Sequence, residues 1–178
     1  MRESFTLSSG AAPQLRLRTI DVSDGDLLRD WKNANRRSFF FQGLIDPEGQ
    51  RRWYEGYVTR PHDFMFMVEA DGRPVGCMGF RILGEATDIY NVIRGIPAAG
   101  TRGLMAHAFR LLCSYALATF PSEVSAKVLK DNPAVAWYRK IGFDVAEETA
   151  TYYLVRLCRA RFEPLPFVRT DVPPSRDR

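Results

Sequence analysis

The sequence predicts an α/β domain of the α+β type, a mixed central sheet of about seven strands flanked by helices. Composition, periodicity and element order lead there. The 178 residues, 46% hydrophobic and 26% charged, are globular in composition and numerous enough for one core. Apolar residues recur with period two in short segments and with helical spacing in longer ones. The resulting order is β-α-α-β-β-β-α-β-α-β-β. Consecutive strands before the long helix exclude a simple doubly wound sheet and require an antiparallel N-terminal half. Residues 1–14 read as a flexible arm, 15–162 as the domain, and 163–178 as a proline-rich tail whose last part is disordered.

Residues 15–20 (LRLRTI) alternate apolar and basic side chains, the period of a strand. Ser23 and Asp26 have capping-box spacing, and Leu27, Leu28 and Trp31 then share a helical face. Asp46-Pro47 is an N-cap with proline in the first turn, and Trp53, Tyr54, Tyr57 and Val58 form the apolar face of this second helix. Residues 64–69 are a strand, Asp71-Gly72 a hairpin turn, and 74–83 the returning strand, where Gly76 and Gly79 mark a bulge or a close backbone approach. A fourth strand covers 87–94. The loop GIPAAGTRG (95–103) opens onto a helix from about 103 to 119, whose polar residues His107, Arg110 and Ser114 make one narrow stripe, so the helix is central. A fifth strand covers 122–129. Asn132-Pro133 caps a helix ending near Lys140, Gly142 is its C-cap, and strands at 143–146 and 151–157 follow.

The net charge of +4 and a pI near 9.1 suit a polyanionic ligand. The basic residues are scattered, with small excesses such as Arg36-Arg37 and Arg51-Arg52, which speaks against a nucleic-acid surface. No apolar run has the length of a membrane span, and residues 1–14 lack the apolar segment of a secretory signal. Cys77, Cys113 and Cys158 have no motif spacing and read as buried reduced thiols, a reactive thiol being the alternative for any one of them. A cytoplasmic protein without membrane association is expected. His62 and His107 have no ligand spacing, so no metal is expected.

Chemistry enters at the loop before the long helix. Gly95, Gly100 and Gly103 lead to a helix N-terminus, whose free N–H groups and dipole suit a pyrophosphate, and Arg102 adds charge. An ordinary strand-to-helix connection reads the same way. The segment NPAVAWYRKIGF (132–143) is more specific. It resembles the N-x-x-A-x-x-x-Y-x-k-x-G-F signature of the GNAT superfamily of acyl-CoA N-acyltransferases at Asn132, Ala136, Tyr138, Lys140, Gly142 and Phe143, with the small residue four after the Asn. The same segment is also a well-capped helix that packs Trp137 and Phe143. More loosely, Trp31-Lys32-Asn33, Trp53 and the turn Asp71-Gly72-Arg73-Pro74-Val75-Gly76 resemble the branch that acetylates ribosomal-protein N-termini and amino sugars.

The resemblance implies a GNAT fold in which the fourth and fifth strands splay and acetyl-CoA, the co-substrate, enters the gap. Its pantetheine arm would pair with the backbone of Asn91, Val92 and Ile93, and Asn132 would hold it from the other side. Its pyrophosphate would lie on the N–H groups of Thr101, Arg102, Gly103, Leu104 and Met105. In the family pattern Q/R-x-x-G-x-G/A, Gly103 is the middle glycine and Gly100 takes the first position. Met105 replaces the last small residue, where its side chain either crowds the phosphates or turns into the core. Tyr138 would protonate the departing thiolate. Asp88 would serve as general base where the family often has Glu, with Glu85 as second candidate, and Tyr90 would shape the acceptor site. An acceptor pocket would form from Asn33, Arg36, Arg37, Phe39, Phe40, Phe41 and Gln42. The run SFFFQ is too apolar for an idle loop and suits a pocket wall, a homodimer surface or burial. The implied activity is acetyl transfer to a primary amine of a small molecule such as an amino sugar or sugar nucleotide. A protein N-terminus as acceptor, or a non-catalytic binding domain, are the alternatives.

Overall fold

The computed structural model describes residues 3–96, 103–120 and 122–173. Its strands are β1 (Phe5–Ser8), β2 (Leu15–Thr19), β3 (Asp63–Ala70), β4 (Arg73–Leu83), β5 (Ala86–Arg94), β6 (Glu123–Leu129), β7 (Phe143–Glu148), β8 (Tyr152–Leu157) and β9 (Val168–Asp171). Its helices are α1 (Gly25–Ala34), α2 (Pro47–Val58), α3 (Leu104–Thr119) and α4 (Ala134–Lys140). The strands form one sheet in the order β7-β8-β6-β5-β4-β3-β2-β1-β9.

This is the expected mixed sheet between helices, with nine strands rather than about seven. The two additional strands come from the segments read as arm and tail. Phe5 and Leu7 alternate into the core, and β1 pairs antiparallel with both β2 and β9. Arg169 of β9 crosses the Phe5 ring and binds Glu3. Without β1 the backbone of β2 would be an open sheet edge. The end of the tail, 174–178, lies outside the described residues.

The sheet is buried on both faces. Along β3, Phe66 and Val68 join the core under α3 and α4, while Met65 and Met67 join the core under α1 and α2. This explains the unbroken apolar run FMFMV at 64–68, since a central strand covered on both sides needs no polar alternation. The cap of the first helical segment differs from expectation. Asp21, not Ser23, is the capping residue, in a reciprocal box with Asp24, and α1 starts at Gly25. Arg18 draws Asp24 inward with a 2.8 Å ion pair, which fixes that register. Asp46 caps α2 as expected, accepting from the Gly49 N–H at 2.6 Å.

Two features of β5 position the site. Asn91 has a left-handed φ of 51°, a conformation that Asn tolerates better than most residues. There Asn91 and Val92 stand opposite Met78 alone, a bulge that twists β5 away from its neighbour. Consequently β5 and β6 pair in parallel only from Ala86↔Glu123 to Ile89↔Ala126, and beyond that point they splay. Gly76, on β4 across the bulge, is a close approach. A Cβ there would lie 2.4 Å from the Ile93 carbonyl oxygen and 2.9 Å from the Met105 Sδ.

Candidate active site

The splay opens a cavity of about 770 Å³. Of the residues singled out in the sequence, Asp88, Asn91, Val92, Gly103, Asn132 and Tyr138 all line it, as do Tyr90 and the three phenylalanines Phe39, Phe40 and Phe41. Gly100, Thr101 and Arg102 lie outside the described residues. Ile93 turns its side chain into the core under α1 and α2, and Leu104 packs against the other core.

Tyr138 sits on α4, only 6% exposed, edge-on to Phe109, Trp137 and Phe143 with ring centroids 5.3–5.4 Å away. Burial, then Cys113 and Asp88, push its phenol well above the ordinary value, so the hydroxyl keeps its proton. Asp88, on β5, accepts from Arg81 Nε of β4 at 2.8 Å, and this ion pair orients its carboxylate. Glu85 falls in the turn before β5 and does not line the cavity. The Tyr90 hydroxyl donates to Asp63, and burial together with that carboxylate raises its pKa.

Asn132 has a structural role in this arrangement. Its Oδ1 accepts from the Ala134 N–H at 3.0 Å, capping α4, and its Nδ2 donates to the Ser38 carbonyl at 3.4 Å. It thereby ties the loop after α1 to the opposite wall. Met105 turns into the main core, as one of its two expected arrangements had it, with an edge at the cavity wall.

Several residues expected in the acceptor pocket do other work. The Asn33 side chain makes two 2.9 Å bonds to the Ile45 backbone and pins the loop between α1 and α2. Arg36 donates to the Asn33 carbonyl and Gln42 to the Arg37 carbonyl. None of Asn33, Arg36, Arg37 and Gln42 lines the cavity. Phe39 is half-buried, whereas Phe40 and Phe41 are 58% and 60% exposed at the mouth. Phe40 meets Tyr152 edge-on at 5.6 Å.

Lys32 is the main residue that the sequence reading missed. It stood there only as part of Trp31-Lys32-Asn33. In the structure its Nζ donates to Asn91 Oδ1 at 2.5 Å and lies 3.3 Å from the Phe39 ring centre. Burial lowers it from 10.5 to about 8. The available signal was its place beside Trp31 on an amphipathic helix, since a lysine flanking a buried tryptophan sits at the boundary of the core. Arg81, Lys127, Trp137 and Tyr152 also line the cavity, and they come from distant strands and helices. Among the described residues there is no group of three or more His, Cys, Asp or Glu that could hold a metal. Nor is any helix of those residues long and apolar enough to cross a membrane.

The mixed sheet thus opens at the end of the parallel β5–β6 pair, with the N-terminus of α3 at the cavity wall. The chain belongs to the GNAT acetyltransferase family, whose acetyltransferase (GNAT) domain profile matches residues 14–144. Family members use acetyl-CoA. Solved structures share the fold at low identity. FdhC, a nucleotide-linked sugar GNAT, is 16% identical over 83% of this chain and 88% of its own, with a TM-score of 0.70. RimL, a ribosomal L7/L12 alpha-N-protein acetyltransferase solved with coenzyme A, is 18% identical over 89% of this chain and 94% of its own, with a TM-score of 0.63. The spermidine N-acetyltransferase of Vibrio cholerae, in complex with CoA and spermine, is 18% identical over 80% and 92%, with a TM-score of 0.66. No curated protein matches the chain in sequence.

Proposed function

We propose that the protein transfers the acetyl group of acetyl-CoA to a primary amine of a small molecule, an amino sugar or a sugar nucleotide. The observation that carries this reading is the convergence of Asp88 and Tyr138, from β5 and α4, on the cavity where the β5–β6 pairing ends. Past Ile89 the β5 edge has no partner in β6, so its backbone at Asn91, Val92 and Ile93 can pair with the amides of the pantetheine arm as an added strand would. The thioester then reaches the cavity with Gly103 and the start of α3 at its phosphate end.

In the transfer, the amine nitrogen attacks the thioester carbonyl, the C–N bond forms and the C–S bond breaks. The ammonium proton leaves through water to Asp88, which Arg81 holds in place. A backbone N–H of the splayed strand receives the oxyanion. The departing thiolate takes the Tyr138 proton, and the cycle closes when solvent returns a proton to the phenolate and Asp88 releases its own to solvent. Burial keeps the Tyr138 phenol protonated at the start of the cycle.

A protein N-terminus is the second reading, and the exposed Phe40 and Phe41 in the cavity lining favour it, since exposed apolar rings suit contact with the residues that follow a peptide N-terminus. Incubation with acetyl-CoA and a mixed panel of amino sugars, sugar nucleotides and N-terminal peptides, followed by mass spectrometry, tests both. A 42 Da gain (roughly one acetyl group on one amine) is expected on a sugar amine. A gain on peptides only selects the second reading. Acetylation of none of them, with no thermal stabilisation by acetyl-CoA, rejects the catalytic proposal.

A further inference from the structure

We infer that the acceptor amine belongs to an anionic molecule, whose carboxylate or phosphate pairs with Lys32 on the α1 side of the cavity. The inference rests on the acetyl-transfer reading and narrows its substrate class.

The charges around the cavity are unbalanced. Lys32, Arg81, Arg94 and Lys127 line it, and Asp88 is the carboxylate among its described lining residues. Arg81 already engages Asp88 at 2.8 Å. Lys32 forms no ion pair with any described residue. Its neighbours are the neutral Asn91 amide, the Phe39 ring face and the Cys77 thiol, which burial holds protonated by pushing it up to about 12. An ammonium partly withdrawn from water without a counter-charge carries a desolvation cost, and an anion brought by the ligand offsets it. One Lys32 proton points at Asn91, which leaves two for the ligand.

The position separates this anion from those of the co-substrate. Lys32 and Phe39 belong with the core under α1 and α2, whereas the start of α3, where the CoA phosphates are expected, belongs with the core on the other face of the sheet. Asn91 lies at the bulge that opens the strands. A group held by Lys32 therefore sits beside the splay, in the same cavity as Asp88 and Tyr138, with Phe39 as an apolar wall. The same charges work against a polycationic acceptor, which would place like charges beside Lys32, Arg81 and Lys127.

Calorimetric binding at saturating CoA tests this without requiring turnover. The probes are glucosamine 6-phosphate for the phosphate arm, muramic acid for the carboxylate arm, and glucosamine and spermidine as neutral and cationic controls. The expected result is that one of the two anionic amines binds at least about ten-fold more tightly than glucosamine, the scale of one charge-assisted hydrogen bond. Which arm succeeds identifies the anion. Lys32→Met abolishes that preference, Lys32→Arg retains most of it, and CoA affinity stays within about two-fold in both. A melting curve for each variant separates loss of the fold from loss of the site. The inference is overturned if glucosamine or spermidine binds at least as tightly as both anions, or if Lys32→Met weakens CoA in place of the anionic amine. Absence of acetyl transfer alongside intact anion binding would instead count against the catalytic proposal alone.

Discussion

At the scale of single residues, Tyr138 and Lys32 make different predictions because burial acts on them in opposite senses. Tyr138→Phe keeps the ring and its contacts with Phe109, Trp137 and Phe143 and removes only the hydroxyl. Single-turnover kinetics should show chemistry slowed by roughly 10²-fold with acetyl-CoA affinity little changed, as for loss of one general acid. Equal rates would make Tyr138 a packing residue. Lys32 has a folded pKa of about 8, below its ordinary 10.5. Below pH 8 it is charged in both the folded and unfolded states, and the burial cost is fully present. Between pH 8 and 10.5 the unfolded chain holds the extra proton, so this group makes stability rise with pH across that window. Cys77, raised from 9.0 to about 12 by burial and lowered by the Lys32 charge, acts in the opposite direction above pH 9, so the window from pH 8 to 9 isolates the Lys32 contribution. The melting temperature of wild type relative to Lys32→Met should therefore climb from pH 8 to 9. A constant difference would show that Lys32 is not buried as a charge.

At the scale of elements, contacts between elements decide what local patterns leave open. Gly95, just past β5, lies flat on the Trp31 indole of α1, where a Cβ would come within 2.0 Å of the ring. Gly95→Ala should push Trp31, and with it Lys32, out of place. We expect destabilisation of about 1–3 kcal/mol by denaturant titration, the usual cost of overpacking, and loss of acceptor binding. The start of α3 shows a similar dependence. The family pattern asks for a small residue at 105, and from the sequence alone its restoration is expected to keep the fold and to leave CoA affinity equal or better. Met105 instead fills the space above Gly76 in the main core. Met105→Ala should cost about 2–5 kcal/mol in stability, with no gain in CoA affinity. An affinity gain at unchanged stability would return Met105 to the phosphate loop. The helices and inner strands were legible because each carries its own signal: Asp46-Pro47, Asp71-Gly72, Asn132-Pro133 and the apolar periods between them. The first cap was misplaced by two residues because Asp24 is drawn in by Arg18, a contact that no local pattern announces.

At the scale of the whole molecule, the ends of the chain complete the sheet. Phe5 of β1 is 1% exposed and packs on Phe66 and Tyr115. Phe5→Ala should therefore cost about 3–5 kcal/mol, whereas a residue of a flexible arm would change stability by less than about 0.5 kcal/mol. Equilibrium unfolding distinguishes the two. β1 and β9 were invisible in the sequence because each is four residues long and is stabilised by pairing between Phe5–Ser8 and Val168–Asp171, segments at opposite ends of the chain. The candidate site divides along the same line. Tyr138 and Asn132 could be singled out from the sequence because they stand in one contiguous motif, and Asp88 by its place on the fourth strand. The sequence by itself determined the order of the central elements, the mixed sheet and the family, since local periodicity, caps and motif spacing are properties of contiguous residues. Only the tertiary structure decided that Lys32, Phe39, Arg81 and Lys127 share one cavity, that Asn33 pins a loop, and that Met105 packs inward. Those outcomes depend on a bulge at Asn91 and on which side chains two separate cores exclude from water, and these are set by contacts between residues far apart in the chain.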